Sequence, residues 1–154
     1  MQKKLFYKTV ILSVFLLIAG YAHAASSLRD YDPKSPDEEA IVSLIMSYLN
    51  AYNSGNIQGI KDVFWDEGTS MYGYQRMVFT KAEFDTVLPK KLADYPVLEA
   101  QEPESIEISD MNAKVYILIG YTDTTGLGPS EGIVPYTIEC IKHDNQWLIK
   151  SIQF

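Results

Sequence analysis

The chain has 154 residues, 47% of them hydrophobic and 12% aromatic, with 20 acidic against 13 basic side chains. This length suits one domain with a single core. A net charge of −7 repels phosphate backbones and anionic lipid headgroups, so the composition argues against nucleic acids and membrane surfaces as partners.

The first 24 residues have the pattern of a signal peptide. Three lysines precede an apolar run over residues 10–19, and Ala22-His23-Ala24 supplies the small residues of a cleavage site. The apolar run is too short to span a bilayer with its present flanks. We therefore predict export to a periplasm or to the cell exterior, with a mature chain that starts at Ala25 and is not held in a membrane.

Removal of this leader takes away three lysines and no acid, which leaves a net charge of −10 on residues 25–154. Cys140 is the only cysteine of the chain, so an internal disulfide is impossible and burial must stabilise the domain. The sequence contains no cluster of histidines and cysteines with the spacing of zinc ligands. We predict no metal site and no cofactor.

Residues 25–35 lack apolar periodicity and are predicted to form a flexible lead-in to one domain over residues 36–154. Ser35 and Pro36 are typical of a helix start, and the apolar residues that follow recur on one helical face. Gly55 is expected to end this first, long helix.

Two further helices are predicted after the first one. Asn56 can cap a short helix, and a capping box over Thr80–Glu83 opens a third helix that is expected to be disturbed near Pro89. Between them, residues 70–78 are typical of a short extended pair.

From Glu104 onward the apolar residues alternate with a period of two, which indicates strands. Helices followed by an antiparallel meander predict an α+β fold, with a curved antiparallel sheet wrapped on the N-terminal helices. The strand over residues 114–122 is apolar on both faces, whereas one face of an antiparallel sheet is usually polar. A second copy of the chain would cover the extra apolar face, so we expect a homodimer through the sheet. The predicted strands lie at residues 106–108, 114–122, 133–142 and 146–154.

The segments Tyr48–Ile60 and Gln146–Phe154 resemble the nuclear-transport-factor-2-like (NTF2-like) superfamily, a cone-shaped α+β fold that includes ketosteroid isomerase and polyketide cyclases. The resemblance covers nearly all of residues 36–154 and indicates an exported bacterial member. It implies an internal pocket between the long helix and the concave sheet face, and dimerisation through the other sheet face. The fold hosts many chemistries and many proteins without catalytic activity.

The resemblance also implies which residues an isomerase would need. Tyr48 stands where ketosteroid isomerase has its oxyanion tyrosine, but Tyr72 takes the place of the carboxylate base and Thr137 the place of a second acid. Tyrosine stays protonated near neutral pH and is a poor general base. His143, the only histidine after the leader, lies at a predicted hairpin tip, so isomerase or dehydratase chemistry of the known kinds is not expected.

Glu139 and Lys150 leave two interpretations open. A final hairpin that turns through Asp144-Asn145 would place them opposite each other. If their face is the pocket face, which the family alignment implies, they form an acid–base pair with perturbed ionisation. If instead the more apolar face, which carries Val134 and every second residue after it, points inward, Glu139 and Lys150 form a surface ion pair.

The sequence therefore favours a non-catalytic pocketed domain that binds a small apolar or aromatic ligand, or an accessory protein. A lyase or isomerase with Glu139 as base and Tyr48 as acid is the second interpretation, and a pure protein-interaction domain is the third. The candidate ligand-binding residues are Tyr48, Tyr72, Ile117, Ile119, Tyr121, Thr137, Glu139 and Lys150.

Overall fold

A computed structural model describes residues 26–72 and 77–154, without the side chains of residues 71 and 72. The predicted signal peptide lies outside the described residues. The predicted flexible lead-in differs from the structure, because Leu28 sits on a 3-10 turn (Leu28–Asp30) with its side chain in the core. Ser27 also pairs with Gln101. A single anchoring leucine has no periodicity, so the sequence pattern could not reveal it.

Three α-helices are formed by the described residues, and a second 3-10 turn, Lys81–Glu83, leads into the third of them. None of these helices has the length and hydrophobicity that a membrane span requires. They are α1 (Pro36–Asn53), α2 (Ile57–Asp62) and α3 (Phe84–Asp94).

Local capping chemistry fixes where these helices begin and end. The Ser35 side chain accepts a hydrogen bond from the Glu38 amide at the start of α1, and Gly55 follows its end with a φ of 68°. Asn56 caps α2 through the Gly59 amide. The capping box at Thr80 is present as predicted.

Helix α3 continues through Pro89, although proline was expected to disturb it. Proline removes one intrahelical hydrogen bond, and tertiary packing outweighs that loss here. The continuous helix places Phe84, Leu88 and Lys91 on one buried face, with spacings of four and three residues.

The sheet has seven strands in the described part of the chain, in the order β2-β1-β7-β6-β5-β3, and β4 also pairs with β5. All pairings are antiparallel except β1 with β7, which is parallel. The strands are β1 (Phe64–Tyr72), β2 (Met77–Thr80), β3 (Val97–Ala100), β4 (Ser105–Ser109), β5 (Asn112–Asp123), β6 (Ser130–His143) and β7 (Gln146–Gln153). This confirms the α+β class with a curved sheet and adds a parallel pairing and the strand β3, which the sequence pattern did not predict.

The inner face of the sheet packs on the helices and forms one core. Val115, Ile117 and Ile119 of β5 lie on this face, and their partners across β6 are Ile138, Tyr136 and Val134. Because side chains alternate along a strand, the residues between them lie on the outer face. Those outer residues include Tyr116, Leu118, Thr137 and Glu139, which are half-buried.

A β-bulge changes the predicted register of the final hairpin. Asp144 and Asn145 form the turn as predicted, both with positive φ. Cys140 pairs with Ile149, but Glu139 pairs with Ser151, so Lys150 is the extra residue and does not face Glu139.

The physical reason for the bulge is burial of the last isoleucine of the strand. Without it, Ile152 would point to the outer face opposite Thr137. With the bulge, Ile152 pairs with Ile138 on the inner face and is 1% exposed. Burial of a full isoleucine side chain contributes about 2 kcal/mol, which outweighs the unpaired backbone at one exposed lysine.

Candidate functional site

The structure separates the predicted site residues between the two faces of the sheet. Tyr48, Ile117, Ile119 and Tyr121 lie between the helices and the inner face. Thr137 and Glu139 lie on the outer face, and Lys150 is exposed at the bulge. The side chain of Tyr72 is outside the described set. The eight residues therefore do not line one pocket.

Glu139 belongs to a partly exposed ion pair with a different lysine from the predicted one. Its carboxylate lies 3.4 Å from Lys114 Nζ, on the neighbouring strand β5, and accepts a hydrogen bond of 3.0 Å from the Ser151 hydroxyl. Tyr48 is on the opposite side of the sheet. Glu139 as base and Tyr48 as acid therefore do not fit one substrate, because the sheet stands between them.

We expect Glu139→Gln to change the free energy of unfolding by no more than about 1 kcal/mol, because exposed ion pairs contribute little. Urea unfolding of the variant and the wild type measures this change. Glu131→Gln, at an exposed position on the same strand, is the control. A loss of about 3 kcal/mol or more would instead indicate a buried, tightly coupled carboxylate.

Tyr48 is the central side chain of an aromatic column in the interior. Its ring centroid lies 5.9 Å from Tyr52 and 6.0 Å from Phe64, and Phe64 packs edge-on against Phe84 at 4.9 Å. Burial raises the pKa of the Tyr48 hydroxyl well above its usual range. The hydroxyl therefore stays protonated and is available as a hydrogen-bond donor at any physiological pH.

A buried lysine lies beside this column, and the sequence analysis did not identify it. Lys91 is 4% exposed, and its Nζ donates a hydrogen bond of 3.2 Å to the hydroxyl of Ser70, which is 6% exposed. The Tyr52 hydroxyl donates to the backbone carbonyl of Lys91 at 3.3 Å. Three elements, α1, α3 and β1, thus bring polar groups together inside an apolar interior.

Ser70 lies on the inner face because it pairs with Ile152 across the parallel β1–β7 ladder. Burial lowers the pKa of Lys91 to about 8, since the charged amine loses its hydration. The signal for Lys91 in the sequence was its spacing from Phe84 and Leu88, which continues the apolar face of α3. The predicted disturbance at Pro89 hid that spacing.

Tyr121 closes the far side of the interior. Its ring packs edge-on against Tyr95 at 5.6 Å and covers Gly132 on β6, where any side chain would collide with it. The pairing of Leu98 with Tyr121 confirms that β3 extends the same inner face. Tyr121 is half-buried, so it reaches the edge of the interior and could form a wall there.

Asn53 fixes the end of α1 to the sheet. Its side-chain amide donates to the Leu98 carbonyl at 2.8 Å and its carbonyl accepts from the Leu98 amide at 2.9 Å. Together the two bonds pair with the Leu98 backbone in the way that the backbone of a neighbouring strand would. This contact holds Tyr48 and Tyr52 at a fixed distance from the inner face.

Cys140 and His143 do not form a reactive pair. Cys140 is on the inner face, whereas His143 is about half exposed at the hairpin end and packs at a tilt against Trp65, with ring centroids 4.7 Å apart. Among the described residues, no three His, Cys, Asp or Glu side chains are grouped in a way that could hold a metal ion.

We expect the Cys140 thiol to resist modification in the folded protein. Burial raises its pKa to about 12, so its thiolate fraction at neutral pH falls on the order of 1,000-fold below an ordinary cysteine. Reaction with 5,5′-dithiobis(2-nitrobenzoic acid) with and without denaturant measures the protection. Equal rates in both conditions would mean that Cys140 is accessible in the native state.

No protein-family model matches the chain, and no curated protein sequence matches it.

Several solved structures share its fold. A putative calcium/calmodulin-dependent protein kinase II association domain from Xanthomonas campestris has a TM-score of 0.68 at 17% identity and covers 85% of this chain and 94% of its own. A ketosteroid isomerase-like protein from Erwinia carotovora atroseptica has a TM-score of 0.63 at 20% identity over 74% of this chain and 91% of its own. An NTF2-like protein of unknown function from Shewanella oneidensis has a TM-score of 0.53 at 18% identity and covers 75% of this chain and 96% of its own. These likenesses establish the NTF2-like fold and no activity.

Proposed function

We propose that this NTF2-like domain is a non-catalytic binding module that holds a small apolar or aromatic ligand between helix α1 and the inner face of the sheet. The observation that supports this proposal is the composition of the interior, where the aromatic column of Tyr48 adjoins the buried polar pair of Ser70 and Lys91. Small-molecule sites are typically apolar, with a few placed polar groups that fix orientation.

The distribution of charged groups supports binding without turnover. In the described part of the chain, the buried polar or charged residues are Ser70, Lys91 and Ser151. No carboxylate or imidazole is therefore buried there to serve as a general base of the kind that isomerases and dehydratases require.

Titration with N-phenyl-1-naphthylamine, a neutral aromatic dye that fluoresces in apolar surroundings, tests the pocket. We expect saturable binding to the wild type. Ile119→Trp places bulk on the inner face and should abolish binding, while Leu118→Trp places the same bulk on the outer face and should not. Circular dichroism of both variants verifies folding. A wild type that binds no dye would favour the third interpretation, an interaction domain whose interior is filled by its own side chains.

We also propose that the outer face of the sheet forms a homodimer. Tyr116 and Leu118 are half-buried there, and Ile133 is 51% exposed with Pro135 beside it. A contiguous apolar patch on an antiparallel sheet is typical of an interaction surface. The interior pocket would remain on the other side of each sheet.

Sedimentation velocity of the mature chain tests this dimer. We expect a dimer for the wild type and a monomer for Tyr116→Asp, which introduces two like charges across the interface. Met77→Asp, on the exposed edge strand β2, is the matched control and should remain dimeric. A monomeric wild type would contradict the proposal.

Export is the last part of the proposal. The leader pattern of residues 1–24 supports it. Expression of the full chain in a bacterium, followed by mass spectrometry of the periplasmic fraction, should give a product that begins at Ala25. An uncleaved chain in the cytosol would contradict export.

A further inference from the structure

Lys91 is a buried amine on an otherwise apolar helix face. Its face of α3 continues the apolar positions of Phe84 and Leu88, where methionine or leucine would fill the same space. Desolvation of an amine destabilises a fold, so apolar replacements at such positions are usually neutral or stabilising. A position that departs from the local packing rule in this way is a candidate functional site.

The surroundings of the amine define what could react with it. Its Nζ lies 3.2 Å from the Ser70 hydroxyl, and Tyr52, which bonds to the Lys91 carbonyl, belongs to the aromatic column of the proposed pocket. A ligand that enters the interior would therefore meet a primary amine, a neighbouring hydroxyl and aromatic rings.

The charge of the chain argues for a neutral ligand over an anionic one. The mature chain carries a net charge of −10, which disfavours the approach of carboxylates and phosphates. Lysines in apolar sites lose their proton readily and then act as nucleophiles toward carbonyl groups.

We propose that Lys91 captures an apolar aldehyde or ketone as an imine inside the pocket. This inference rests on the proposed binding function and names the chemical class of its ligand. The lone pair of the neutral Nζ attacks the carbonyl carbon and gives a carbinolamine. Loss of water, formed from the carbonyl oxygen and the two amine hydrogens, leaves a C=N bond to Nζ. The Ser70 hydroxyl lies close enough to hydrogen-bond the carbinolamine oxygen.

Reductive trapping tests the proposal in the mature wild-type chain. Cinnamaldehyde, a neutral aromatic aldehyde, is added with sodium cyanoborohydride, and peptide mapping by mass spectrometry locates the adducts. With a pKa of about 8, Lys91 has a neutral fraction on the order of 100-fold larger than an ordinary exposed lysine at neutral pH. We therefore expect Lys91 to be labelled at least tenfold faster than its exposed neighbour Lys90, which pairs with Asp94.

Two variants make the result specific. Lys91→Met should lose the fast adduct, while Lys90→Met should keep both the fast adduct and dye binding. The wild-type peptide map decides the question even if Lys91→Met does not fold. If the label is spread over surface lysines and Lys91 is unmodified, the proposal that Lys91 forms an imine is wrong. If the dye still binds in that case, the pocket stands and only the carbonyl chemistry fails; if no dye binds, the proposed function fails with it.

Discussion

Lys91→Met is expected to raise the free energy of unfolding near neutral pH by about 2 kcal/mol. A folded pKa of about 8 against the ordinary 10.5 corresponds to a penalty of about 3 kcal/mol for the charged buried amine, and loss of its hydrogen bonding, which includes the bond to Ser70, returns about 1 kcal/mol. Urea unfolding of the two proteins measures the gain.

The same variant predicts a pH dependence with a definite sign. Below pH 8 the amine is charged in both states, and the full penalty applies to the folded wild type. Between pH 8 and 10.5 the folded amine is neutral while the unfolded one is charged, so unfolding takes up a proton and the stability of the wild type rises with pH. The advantage of Lys91→Met should therefore shrink by about 3 kcal/mol across this window.

Lys90→Met is the control for this experiment, since Lys90 is adjacent in sequence and exposed. Its stability difference from the wild type should stay constant over the same pH window. An equal difference at both pH values for Lys91→Met would contradict a lowered pKa and would place the amine in contact with water.

Ile152→Ala is expected to destabilise the fold by about 2–4 kcal/mol, because it opens a cavity at a fully buried position. Lys150→Ala, two residues earlier at the exposed bulge, should change stability by no more than about 0.5 kcal/mol. Thermal or urea unfolding of both variants measures the contrast.

The pair distinguishes the bulged register from the regular one. In a regular hairpin Ile152 would point outward and Lys150 would face Glu139. Ile152→Ala would then lower the free energy of unfolding by less than Lys150→Ala does. Similar small losses in both variants would mean that the last strand is not anchored in the core.

Local chemistry made the helices predictable from sequence. Ser35 caps α1 with its own side chain, and Gly55 adopts the left-handed conformation that ends it, so a few neighbouring residues determine both boundaries. The inner face of β6 was likewise visible in the alternation of Val134, Tyr136 and Ile138. The resemblance of the first helix and the last strand to the NTF2-like superfamily added the overall fold.

Features that depend on distant parts of the chain were not predictable. The bulge at Lys150 follows from the burial of Ile152 against β6, and the register alone could not show it. The inward position of Lys91 needed a helix that runs through Pro89, which local propensity opposes. The predicted site combined residues from two faces because family alignment and alternation disagreed about Glu139, and alternation was right.

Strand β7, the last along the described chain, lies in the interior of the sheet and not at an edge. Strand β7 lies between β1 and β6. Its Trp147 donates a hydrogen bond to Asp37 in the first turn of α1, 110 residues away along the chain. Lys142 of β6 donates to the same carboxylate from 105 residues away. Contacts over such sequence distances form slowly. Without β7, strands β1 and β2 have no pairing to the rest of the sheet, so the sheet becomes continuous around its core only when β7 inserts between β1 and β6.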